Sequence, residues 1–203
     1  MNIEADAEEN LKGERIVRTS GLFNAGQRRW FRYTRKKELE ETLKQKLNSF
    51  LPGSTLSRYE VLHEKELEKG ILLTMQFEGG EYFSRAGGLR IVPQWGEIPR
   101  DFSALEERTY PVSFSFLSDE ENLIRLSLPG LYSVFYLPEK ISVEGKWFRF
   151  VREYLFDKGT LALSQVLTWK VPEISAEDYP EFRKIWMEII KRTEDKAVLK
   201  ISK

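Results

Sequence analysis

At Pro52-Gly53 the hydrophobic period of this chain changes, and no other feature limits its fold as much. Upstream, Leu39, Leu43, Leu47 and Leu51 recur every fourth residue with Lys, Glu and Gln between them, which is one apolar stripe on an amphipathic helix. Pro52-Gly53 stops that helix. Its start is open: Thr34 caps it, or it runs back through Trp30. Downstream the period is two. Leu56, Arg58, Glu60 and Leu62 alternate with Thr55, Ser57, Tyr59 and Val61, and Ile71, Leu73, Met75 and Phe77 alternate with Leu72, Thr74, Gln76 and Glu78 before Gly79-Gly80. Period two belongs to half-buried strands.

More strands follow. The pattern predicts them over 89–93, 110–117, 123–128 and 132–137, with Ser118-Asp119-Glu120-Glu121 as an acidic turn. The clearest hairpin is the last. Phe148, Phe150, Arg152, Tyr154 and Phe156 share one strand face, Asp157-Lys158-Gly159 turns the chain, and Leu161 to Val171 returns. A second helix then begins at Ser175-Ala176-Glu177-Asp178, which resembles a capping box, and buries Tyr179, Phe182, Trp186, Ile189 and Ile190. Residues 197–201 close the chain as a strand.

The expected class is therefore mainly β (α+β): an antiparallel β-sandwich-like core with one amphipathic helix near the N-terminus and one near the C-terminus. Residues 1–12 read as a charged linker or lead-in, and 13–203 as a single domain with helices at about 25–50 and 176–192.

Composition removes several chemistries. With no Cys there are no disulfides, no thiolate catalysis and no Cys-ligated zinc or iron–sulfur cluster. His63 is the only His, so one chain cannot gather a His cluster for a metal, and the lack of a G-x-S-x-G elbow leaves it reading as a structural His. Lys plus Arg and Asp plus Glu each number 32, which argues against a dedicated nucleic-acid binder. No run of 18 apolar residues exists to span a bilayer. The acidic N-terminus lacks the basic and apolar regions of a signal peptide, which fits a cytosolic protein or an excised part of an exported one. Gly79-Gly80 and Gly87-Gly88 lack phosphate-loop spacing and read as turns. A carboxylate pair for glycoside hydrolysis is open to composition, but Glu38, Glu40, Glu41, Asp119, Glu120 and Glu121 sit in helix and turn segments that read as solvated. The expectation is a non-enzyme, with no catalytic, cofactor-binding or metal-binding residue and no cofactor.

Two features point to contact surfaces. Arg28, Arg29, Arg32, Arg35, Lys36 and Lys37 are interleaved with Trp30, Phe31 and Tyr33. They read as a docking patch for an anionic partner, or as a helix start whose aromatics pack inward while basic stems snorkel. Of five Trp, Trp147, Trp169 and Trp186 fall at core spacings. Trp95, in Pro93-Gln94-Trp95-Gly96, reads as the exposed loop aromatic that a glycan-binding module would present.

The order of several weak motifs resembles the C-terminal β-rich domain of bacterial transglutaminase-like multidomain proteins. These motifs are Gly21 followed by Arg28 and Arg29, the helix stop at Pro52-Gly53, Glu107-Arg108-Thr109-Tyr110-Pro111, Leu128-Pro129-Gly130 with Leu137-Pro138, and Tyr179-Pro180-Glu181-Phe182-Arg183 leading a helix. Pro129-Gly130 departs from the family by omitting an acidic residue between them. The resemblance implies a non-catalytic accessory domain that packs on or positions a transglutaminase- or protease-like core, because the family's catalytic Cys, His and Asp lie in an upstream core absent from this sequence. It implies neighbouring domains or another protein as partner, and a periplasmic or extracellular setting for an exported parent. The candidate contact residues are Arg28, Arg29, Arg32, Trp95 and Arg108; the alternative is a glycan or cell-wall-binding module.

Overall fold

The structure, a computed structural model, describes residues 1–79, 82–96 and 98–201. Gly80, expected to help end a strand, lies outside the described residues. The fold is β-rich and antiparallel, with helices toward both ends of the sequence. The chain has two compact units, Met1–Phe83 with Leu126–Pro129, and Ser84–Arg125 with Gly130–Lys203.

The first unit opens with β1 (Asn2–Ala5) and β2 (Leu11–Thr19). Residues expected as a lead-in are thus partly strand. Glu4, Asp6, Glu8 and Lys12 are exposed, while Ile3, Glu9 and Leu11 are buried. Asp6 builds the connecting loop: its carboxylate accepts the N–H groups of Glu8 and Asn10 at 3.0 and 2.8 Å. Gly13 lets β1 and β2 approach, since a Cβ there would lie 2.3 Å from the Asn2 carbonyl.

The helix expected over 25–50 is two, α1 (Gly21–Tyr33) and α2 (Lys36–Phe50). Thr34 and Arg35 between them are extended. At 100° per residue, the Asn24/Arg28/Phe31 face and the Leu39/Leu43/Leu47 stripe would sit roughly 90° apart on one straight helix. The break lets both be used: Asn24, Phe31 and the three leucines are all buried. After α2 come β3 (Ser54–Leu62) and β4 (Ile71–Gly79), and the strands lie antiparallel in the order β1-β2-β4-β3. Arg15 of β2 places its guanidinium 3.6 Å from the centre of the Phe50 ring, and burial pushes its pKa down to about 10.

The second unit begins with β5 (Ser84–Ala86) and β6 (Leu89–Ile91), joined at Gly87-Gly88 as the turn reading expected. A 3-10 turn (Asp101–Ser103) precedes β7 (Val112–Ser113), all that remains of the strand expected over 110–117. β8 (Asp119–Ser127), whose last residues fall in the other unit's range, starts inside the supposed acidic turn. Asp119, Glu120 and Glu121 are exposed strand residues whose charges stay in water, so their acidity is no sign of a turn. β9 (Tyr132–Tyr136), β10 (Ile141–Glu144), β11 (Phe148–Asp157), β12 (Thr160–Trp169) and β13 (Glu173–Ile174) follow. Helix α3 (Tyr179–Thr193) and β14 (Val198–Ile201) complete the chain.

The β11–β12 hairpin matches its pattern. Asp157 pairs with Thr160 across Lys158-Gly159, which have φ of 46° and 76°. Positive φ at both central residues is the type I′ signature that matches strand twist. Phe148, Phe150, Arg152 and Tyr154 form one buried face. Against part of that face, α3 sets Trp186, 5.0 Å from Phe148 and 5.3 Å from Trp169 between ring centres, with Phe182 stacked on it at 5.7 Å. The Trp186 indole N–H donates to the Pro99 carbonyl at 2.8 Å, so its polar edge is satisfied as well as buried. Trp147, Trp169 and Trp186 are core residues, as their spacing predicts. Ser175 accepts the Asp178 N–H at 3.0 Å just before α3, which is half of a capping box. The Asp178 carboxylate is committed to Lys146 at 2.8 Å.

Candidate functional site

The structure brings three of the five candidate contact residues together. Arg28, Arg29 and Arg32 lie on α1, and with Tyr33, Glu64, Lys65 and Leu67 they line a hollow of about 560 Å³ in the first unit. Its far wall is the 63–70 loop between β3 and β4.

Arg28 builds that wall. Its guanidinium donates to the carbonyls of His63 and Glu64 at 2.5 Å each, of Glu66 at 2.6 Å, and of Lys69. Asn24, one turn earlier, accepts the Ile71 N–H at 2.9 Å and donates to the Lys69 carbonyl at 3.2 Å. The i, i+4 spacing puts both side chains on one helix face. A planar fork of five N–H donors suits such a convergence of carbonyls better than an ammonium would. Arg28 is therefore an architectural residue; its charge is directed into the loop.

The loop is also tied from within. His63, at φ 64°, places Nδ1 2.9 Å from Glu66, and Lys69 reaches the other Glu66 oxygen at 2.5 Å. The bond from Lys69 and then that from His63 hold the Glu66 carboxyl at about 2, well below the usual range. His63 is thus hydrogen-bonded and structural, as its isolation in the sequence suggested.

Arg29, Arg32, Tyr33, Lys65 and Leu67 face outward instead. Tyr33 is 74% and Leu67 80% exposed. The Arg32 guanidinium lies 5.8 Å from the Tyr33 ring centre. The inward-packing reading describes only part of the basic segment. Phe31 is buried, and Trp30 sits under the Lys46 ammonium at 4.7 Å, whereas Tyr33 is on the surface among cations. Lys65 and Leu67 were not singled out from sequence. The available signal was Leu67 itself, the one apolar residue in His63-Glu64-Lys65-Glu66-Leu67-Glu68-Lys69.

Trp95 and Arg108 belong to the second unit and do other work. Trp95 is 2% exposed, which corrects the expectation of an exposed loop aromatic. It stacks on Tyr154 with ring centres 6.2 Å apart. Its loop is drawn in by Arg152, which is 2% exposed and donates to the Gly96 carbonyl at 2.9 Å, to Gln165 at 2.8 Å and to the Tyr154 hydroxyl at 2.8 Å. An irregular segment can be core when its indole has a large apolar area to hide. Arg108 is half-buried, with its guanidinium 5.1 Å from the Tyr179 ring centre at the start of α3, so it braces the helix as much as it faces solvent. Tyr179 in turn donates its hydroxyl to the Leu105 carbonyl at 2.7 Å.

A second hollow in the first unit, about 620 Å³, is lined by Glu4, Asp6, Asn10, Lys12 and Glu78 among others. Lys12 pairs with Glu4 at 3.1 Å, and Asp6 is closed on Asn10. Among the described residues no group of three or more His, Cys, Asp or Glu converges to hold a metal, and no helix is long and apolar enough to cross a membrane.

A family model described as a domain of unknown function with a solved structure, DUF3858, matches residues 91–199, just over half of the 203 residues. The chain belongs to this family. The match covers β11, β12 and α3 with their aromatic core, and the hollow over Arg28 to Leu67 lies outside it. No curated protein matches the chain, and neither does any solved structure.

Proposed function

We propose that this DUF3858 member is a non-catalytic accessory domain that packs against, or positions, a transglutaminase- or protease-like catalytic core, on the same polypeptide or on another protein. The observation that carries this reading is the division of polar chemistry. Three polar groups with catalytic potential are used for architecture: Arg28 on four carbonyls, His63 on Glu66, and Arg152 on Gly96, Gln165 and Tyr154. The cations and rings left over face outward beside Arg29 and Arg32, where a protein surface can meet them. Sequence resemblance supplies the kind of partner. Equal numbers of acidic and basic residues favour protein over nucleic acid as that partner.

The glycan alternative drew on the sandwich-like architecture and on a loop Trp; burial of Trp95 takes away the second of these grounds. The test is gel filtration of the chain with a purified transglutaminase-like core. A shared peak at micromolar concentrations is expected; separate elution at every ratio would refute the reading.

A further inference from the structure

We infer that the hollow between α1 and the 63–70 loop is a docking site for an acidic protein segment that carries one apolar side chain among its carboxylates. This deepens the accessory-domain reading and rests on it for the claim that the partner is a protein.

Charge complementarity names the occupant. Four cationic residues and one carboxylate, Glu64, line the hollow. Arg28 is spent on the loop carbonyls, and the nearby Glu66 is spent on His63 and Lys69, which leaves Arg29, Arg32 and Lys65 in excess over Glu64. An apolar requirement comes from Tyr33 and Leu67, two large side chains left in water on opposite walls. Neither is needed by the core, whose nearest contribution from this helix is Phe31. A simple polyanion, whether heparin or nucleic acid, would satisfy the cations and leave Tyr33 and Leu67 unused. An acidic peptide with a central leucine or aromatic satisfies both, because the ring and methyls cover its apolar group while the guanidinium forks take carboxylates.

The site is also held in shape before any partner arrives. Asn24 and Arg28 fix the loop to the helix, so little ordering cost remains to be met on binding.

The probe is a fluorescein-labelled acidic nonapeptide with one central leucine, followed by anisotropy against the full chain. A second peptide has serine at the centre, and unlabelled heparin serves as competitor. The leucine peptide is expected to bind, and Arg29→Glu with Arg32→Glu to weaken it by about tenfold or more, as for complementary charges at an interface. Tyr33→Ser and Leu67→Ser should each erase the preference for leucine over serine without touching the charges. Lys184→Glu with Lys191→Glu, a matched reversal on α3, should leave binding unchanged. The inference is overturned by no binding, by equal affinity for the two peptides, by heparin competing as well as the leucine peptide at equal charge, or by equal loss in the α3 control. If the core co-elutes with the chain but ignores Arg29→Glu with Arg32→Glu, the accessory role stands and this site falls. If the peptide binds as described but the core does not co-elute, the site stands and its assignment to that core falls.

Discussion

Replacing Arg28 by Met should cost the first unit about 2–4 kcal/mol. The substitution keeps most of the apolar stem and removes the guanidinium that donates to His63, Glu64, Glu66 and Lys69. Charge-assisted hydrogen bonds contribute about 1.5–3 kcal/mol each when the acceptor is stranded without them. Here the loop is exposed and water can replace the donor, so a figure nearer 0.5–1 kcal/mol per bond applies. Four such losses give the stated total, roughly a 10–30 °C fall in melting temperature if this unit melts as a domain of under 100 residues. Arg28→Lys should fall between, because one ammonium has three donors for four carbonyls. Urea unfolding with hydrogen exchange resolved to peptides covering 63–71 is the assay. Loss of protection at Glu66, Lys69 and Ile71, whose N–H groups bond within this loop or to Asn24, should precede global unfolding. An Arg28→Met protein within about 0.5 kcal/mol of wild type, with unchanged exchange in the loop, would refute the clamp.

Three further outcomes follow from the geometry. Trp186→Ala should destabilise the second unit by about 3–5 kcal/mol, the range for a fully buried aromatic, and Trp186→Phe should cost about 1–2 kcal/mol because the Pro99 carbonyl loses its donor; thermal melts decide both. Lys158→Asn should stabilise the β11–β12 hairpin by about 0.5–1 kcal/mol, since Lys158 holds a left-handed φ that Asn adopts more readily, whereas Gly159→Val should destabilise it in the same urea titration. Because Glu66 is depressed to about 2 in the folded chain, its contribution is complete above the ordinary carboxyl range and is lost as pH falls from about 4.5 towards 2; melts over that window should show a slope that Glu66→Gln reduces.

What could be read from sequence followed the strength of the local pattern. The Leu39/Leu43/Leu47 stripe, the β11–β12 hairpin and the aromatic face of α3 each combine strict periodicity with a matching stop or turn, and each stands where its residues placed it. The break at Thr34-Arg35 is only half legible: Thr34 is a candidate cap, but both flanking segments are helical, and the roughly 90° offset between their buried faces is what separates them. At Asp119–Glu121 acidity reads as a turn but marks an exposed strand face. The site divides in the same way. Arg28, Arg29 and Arg32 fall together because i, i+3 and i+4 positions are neighbours on any helix. Lys65 and Leu67 join them only through tertiary contact, made by the Arg28 side chain some 35 residues away in sequence. Trp95 failed because a loop position carries no information about what folds over it; Arg152 and Tyr154, far along the chain, bury it.

We propose that this chain acts through a surface, at the hollow beside α1. Hydrogen exchange of the chain with and without a purified transglutaminase-like core tests it most directly. New protection over residues 28–33 and 63–69 is expected in the complex. Protection confined to other segments, or none while the core is present in excess, would contradict it.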